Sequence, residues 1–163
     1  MPDLPRRRNS LRYPDYDYAQ PGGVFVTFCT HNRQHLFGSI QNDEMFLSAA
    51  GLILARRWMQ IPDRFNGVML DDFAIMPDHM HGILWIGTQG HGDNPSSSEV
   101  VRWVKVSVQR DYSDAVKRGA QPYEEKMWQR SYYDRIIRND RELESIRGYI
   151  QGNPYFDGKK KAE

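Results

Sequence analysis

Met76-Pro77-Asp78-His79-Met80-His81-Gly82-Ile83-Leu84-Trp85-Ile86 holds two histidines one residue apart at the head of an apolar run. Side chains on a strand alternate with period 2, so His79 and His81 share one face and can share one metal ion. Imidazole is also a serviceable polar core group, so the pair alone leaves a hydrogen-bonded structural role open. Pro77-Asp78 breaks the chain just before His79. Residues 81–87 then read as a strand paired back, as an antiparallel hairpin, on another at Val68–Ile75. Asp78 reads first as the turn residue, with orientation of a histidine as its other use.

Working outward, residues 24–30 are β-branched and aromatic and form another strand. Met45, Phe46, Ala49, Ala50, Leu52, Ile53 and Ala55 recur at helical spacing, which predicts a helix over 43–60 stopped by Pro62. Ser98, with Glu99 beside it, opens a second helix whose stripe of Val100, Val101, Val104, Val108 and Tyr112 runs to about Lys117. Residues 127–137 read as a fourth strand. Asn139 or Asp140 caps a last helix that runs to about Gly152, before Pro154. The order matches an α+β, ferredoxin-like β-α-β-β-α-β unit with an antiparallel sheet and an additional C-terminal helix. That architecture serves nucleic-acid binders and enzymes alike.

The 163 residues suit one core. They divide into a basic and aromatic arm at 1–23, a single domain at 24–154 and a basic tail at 155–163. No apolar run approaches a membrane span and the start has no apolar leader, so a cytoplasmic, nucleoid-associated protein is expected. The single Cys29 sits among apolar residues and reads as a core side chain. Net charge is only +1, but Lys and Arg number 8 against 10 Asp and Glu up to Ser98, and 14 against 11 afterwards. Basic groups therefore gather in the second half. Arg130, Arg135 and Arg138 are either phosphate contacts or salt-bridged surface residues, and Arg7, Arg8 and Arg12 of the arm are further candidates for DNA contact.

Tyr149 and Asn153, four residues apart, project from one side of the last helix. If that helix crosses the strand bearing His79 and His81, two imidazoles and an amide oxygen surround one divalent ion beside a phenol. Such a set suits attack of tyrosine on a phosphodiester, with one fragment kept as a phosphotyrosine and a 3′-hydroxyl released. Manganese fits histidine ligands at least as well as magnesium. Tyr132 and Tyr133 are alternative nucleophiles, better read as core or base-stacking residues. Pro154 pushes Asn153 away from helical geometry, and Gly148 and Gly152 weaken the helix.

These residues resemble the single-tyrosine HUH transposases, and within them the REP-associated tyrosine transposases. His79-Met80-His81 matches the H-hydrophobic-H pattern, with further likeness in Trp128–Arg138, in Tyr149-Ile-Gln-Gly-Asn-Pro154 and in the stretch from Arg7 through Thr30. The resemblance implies that His79, His81 and Asn153 hold Mg2+ or Mn2+ and that Tyr149 is the nucleophile. It implies action on single-stranded DNA beside a folded hairpin, with cleavage and rejoining through a 5′-phosphotyrosine, by a monomer or a homodimer. The short link between residues 137 and 140 favours a site completed within one chain. Two other readings stand beside it: a module of the same fold that grips hairpins without cutting them, and a metallohydrolase of unrelated substrates.

Overall fold

The computed structural model describes residues 22–88 and 93–162. The arm with Arg7, Arg8 and Arg12 therefore lies outside the described residues. The elements in order are β1 (Gly22–Cys29), a 3-10 turn (His31–Arg33), β2 (Gly38–Gln41), β3 (Glu44–Leu47), α1 (Ala49–Met59), α2 (Ile61–Arg64), β4 (Val68–Ile75), β5 (His79–Ile86), α3 (Ser97–Lys117), β6 (Tyr133–Ile137) and α4 (Asp140–Ala162). β1, β4, β5 and β6 form one sheet in the order β4-β5-β1-β6, with every pair antiparallel. This is the ferredoxin-like order, in which β5 and β1 occupy the centre.

Period 2 divides the central strands between two cores. Val24, Val26 and Phe28 of β1 and Met80 and Leu84 of β5 face α1 and α3, where they meet Leu54, Trp58, Val100, Val104 and Val108. Phe25 and Ile83 face the other way and pack with Leu143, Ile146 and Ile150 of α4. His79 and His81 have the parity of the α4 face. The final helix is thus the lid over the histidine side of the sheet.

Four sequence expectations are corrected. Residues 43–47 are not helical: Asn42 and Asp43, at φ of 50° and 62°, make a tight turn joining β2 to β3, and α1 starts only after Ser48, whose hydroxyl accepts from Gly51 N. Apolar Met45 and Leu47 serve that hairpin as well as they would a first helical turn, and an Asn-Asp pair suits the left-handed turn of a short hairpin. α3 is capped by Ser96, not Ser98, in a reciprocal box with Glu99. The fourth strand is limited to Tyr133–Ile137, because residues before it touch the sheet only at the Thr30–Trp128 bridge. Finally, α4 passes through Asn153 without a break. Glu142 N donates to Asn139 Oδ1, so Asn139 is its cap. Pro154 removes one backbone donor, a loss that a docked helix can absorb.

Candidate metal and tyrosine site

His79 and His81 lie at the first and third positions of β5, with 8% and 6% exposure, their ring centroids 4.7 Å apart. Each ring is held by its Nδ1. Asp78 Oδ1 stands 2.6 Å from His79 Nδ1, and Arg33 Nε donates to Asp78 Oδ2 at 3.0 Å. Burial opposes ionisation of Asp78, yet the bond from His79 and the charges around it hold its carboxyl below the usual range. An ionised carboxylate only accepts, so His79 Nδ1 donates the proton of that bond. Asp78 therefore orients a histidine, the use its position beside Pro77 had left second.

His81 Nδ1 is 2.6 Å from Thr27 Oγ1, the residue directly opposite it on β1. Burial first, then the neighbouring charges of His79 and Arg33, push the His81 pKa down to about 3, so the ring is neutral at physiological pH. Phe25 stacks on it with centroids 5.5 Å apart. The Tyr149 hydroxyl lies 3.4 Å from His81 Nε2, and the two rings meet edge-on with centroids 5.1 Å apart. Asn153, one turn further along α4, is 5% exposed, and its amide nitrogen has no hydrogen-bond partner among the described residues.

The structure thus brings His79, His81 and Tyr149 together and buries Asn153 on the same helix. Two imidazoles with anchored Nδ1 atoms, plus a buried amide whose nitrogen has no partner among the described residues, make a donor set that fits a divalent cation. Among the described residues no three His, Cys, Asp or Glu side chains cluster as a metal site, and the third candidate, Asn153, would offer a neutral amide. The candidate arginines are placed differently: Arg130 and Arg138 are exposed, while the guanidinium of Arg135 is paired with Glu142. Tyr133 packs edge-on against Phe25 beside the site, and the Tyr132 hydroxyl bonds to Ser97 and Asp134. The Cys29 thiol, half-buried and pushed up by burial, takes a bond from Arg33 and has the character of a packing residue.

Three features were not legible in sequence. Thr27 looked like an ordinary strand residue, and only the β1–β5 register sets it opposite His81. Gly82 sits against Trp58: a Cβ there would lie 2.3 Å from Trp58 Cζ2, so only glycine lets the indole of α1 pack on the strand behind the histidines. The third is the seating of α4. A one-residue bulge in β4 between Leu70 and Phe73 sets Asp71 and Asp72 opposite Ile83. Asp71 accepts from Arg147 Nε at 2.9 Å and Nη2 at 2.6 Å and from Trp85 Nε1 at 2.8 Å, while Asp72 accepts from Gln151 at 2.6 Å.

Paired histidines thus lie on a central strand of a four-stranded antiparallel sheet, with a tyrosine helix across them. The chain belongs to the IS200-like transposase family, whose model matches residues 25–153. An uncharacterized protein of Haemophilus influenzae is 34% identical over 158 residues, covering 90% of this chain and 88% of that protein. Among solved structures, a REP-associated tyrosine transposase bound to a REP hairpin superposes with a TM-score of 0.60 at 17% identity, over 88% of this chain and 72% of that one. A candidate transposase from Deinococcus radiodurans R1 gives a TM-score of 0.53 at 18% identity, over 86% and 95%. At that identity the two structures speak for the fold. None of the helices among the described residues is long and apolar enough to cross a membrane.

Proposed function

We propose that this transposase-family chain cleaves and rejoins single-stranded DNA beside a hairpin, with Tyr149 as nucleophile and His79, His81 and Asn153 as the residues that hold Mg2+ or Mn2+. The observation that carries the reading is the Tyr149 hydroxyl 3.4 Å from His81 Nε2, because it sets a nucleophile beside the ring nitrogen of a metal-ligating type of side chain. A divalent ion bound there would polarise the scissile phosphate and offset the charge that builds on it.

The residues divide the remaining work. Asp78 and Thr27 hold the two imidazoles by Nδ1, and His81 Nε2 faces the Tyr149 hydroxyl. The phenol oxygen of Tyr149 forms a bond to phosphorus as the bond to the 3′ oxygen breaks, so the downstream fragment stays on the enzyme through its 5′-phosphate and the upstream fragment departs with a 3′-hydroxyl. Reversal by that or another 3′-hydroxyl rejoins a strand without any other energy source. With its pKa near 3, His81 does not store the phenolic proton at neutral pH, so solvent water must accept it. Arg130 and Arg138, exposed beside β6, are proposed phosphate contacts, together with Arg7, Arg8 and Arg12 of the arm. Arg135 joins them only if DNA displaces Glu142.

The named relative bound to a REP hairpin supports hairpin DNA as the substrate class. The histidines and tyrosine that meet here belong to one chain, which supports a site completed in a monomer. The test is Tyr149→Phe with a labelled library of single-stranded hairpins and manganese. Loss of all covalent adduct with binding retained is expected. Adduct formation by the variant at the wild-type rate would overturn the assignment.

A further inference from the structure

At 100° per residue, Leu143, Ile146 and Ile150 make a central apolar stripe on α4. Tyr149 and Asn153 flank it on one side, and Arg147 and Gln151 on the other. The stripe packs on Phe25 and Ile83. Three aliphatic side chains resist lifting of the helix but hardly resist its rolling, since aliphatic contact is non-directional. On the outer face, a Cβ built at Gly148 or Gly152 meets no atom within 4 Å, so nothing packs on the helix at these two positions. Rotation about the axis is therefore set at the flanks.

On the Arg147 flank the restraint is directional. Arg147 presents two guanidinium nitrogens, at 2.9 Å and 2.6 Å, to the carboxylate of Asp71, itself tethered by the Trp85 indole and by Asp72 N. Gln151, one turn on, reaches Asp72 at 2.6 Å. A bidentate fork fixes orientation as well as distance. A one-residue bulge is what brings two successive carboxylates to this edge of the sheet.

We propose that Asp71 and Asp72 of the β4 bulge, with Arg147 and Gln151, form a positioning clamp that sets the roll of α4 and thereby the place of the Tyr149 hydroxyl over His81. This rests on the tyrosine reading above. The clamp touches neither DNA nor metal; it acts through Tyr149 alone. Its loss therefore slows chemistry and spares binding.

The test uses full-length wild type, Arg147→Lys, Arg147→Ala and the near-isosteric Asp71→Asn, with a single-stranded hairpin that the wild type cuts in manganese. At saturating DNA, Arg147→Ala is expected to form adduct at least tenfold more slowly in single turnover. Arg147→Lys, which keeps charge but not the fork, falls between, and hairpin affinity stays within about threefold for all four. A wild-type adduct rate in both Arg147→Ala and Asp71→Asn, or a loss of rate matched by an equal loss of affinity, would overturn the clamp. Hydrogen exchange supplies a reading independent of catalysis: amides 143–153 should lose protection in Arg147→Ala while β1 and β5 keep theirs. Unchanged protection of α4 would also refute the proposal. If wild type makes no adduct, the tyrosine reading fails, and exchange still decides whether the clamp holds the helix.

Discussion

Gly82→Ala is the most informative single substitution behind the site. The new Cβ would lie 2.3 Å from Trp58 Cζ2 and 2.7 Å from Cη2, so return to ordinary contact at 3.4 Å needs a shift of about 1 Å. Neither partner yields easily. Trp58 is fully buried, with Phe28 and Phe73 at ring-centroid distances of 6.4 and 6.0 Å, and Gly82 lies on a central strand paired on both sides. Overpacking of one methyl group costs about 1–3 kcal/mol, and the closeness of a large ring points to the upper part, about 2–3 kcal/mol. For a chain of this length that is a fall in Tm of about 4–12 °C. Circular dichroism melts with urea titration at pH 7 measure it. A Tm within about 1 °C of wild type would show that the indole has room to move and would refute the packing argument.

Gly148→Ala should act in the opposite direction, since its Cβ meets open space on a helix: about 1 kcal/mol of stabilisation in urea is expected. Thr27→Val removes the hydroxyl 2.6 Å from His81 Nδ1 at nearly constant volume, so Mn2+ affinity followed by electron paramagnetic resonance should fall about 10–100-fold while the fold survives. The Arg147 guanidinium beside Asp71 draws that carboxyl down from 3.8 to about 2. A depressed folded pKa means stability present above about pH 4 and lost as pH falls through 2. Because Arg147 is still 32% exposed, solvent screens the pair, and the difference between wild type and Asp71→Asn should be about 1 kcal/mol at pH 7, shrinking as pH falls through about 2.

What could be read in the sequence followed from periodicity. His79 and His81 share a face because strands repeat every two residues, and Val100, Val101, Val104 and Val108 of α3 are buried because helices repeat every 3.6. Tyr149 and Asn153 were paired by the same arithmetic. Periodicity failed where two patterns fit the same letters: Met45 and Leu47 suit a strand or a helix start, and only the Asn42-Asp43 turn decides between them. Contacts between distant segments left no local trace. Asp71-Asp72 reads as a polar interruption of a strand until the bulge and Arg147, 76 residues away, explain it. Likewise Thr27 gains its meaning only from register, and Gly82 only from the indole behind it. Pro154 marked a helix end by propensity, yet α4 continues past it.

The measurement to make first is peptide mapping of the wild-type protein after incubation with labelled single-stranded hairpins and manganese. A metal-dependent DNA adduct on the peptide containing Tyr149 is the expected result. An adduct mapped to Tyr132 or Tyr133, or tight hairpin binding with no adduct on any tyrosine, would contradict the account of this site as a tyrosine transposase centre.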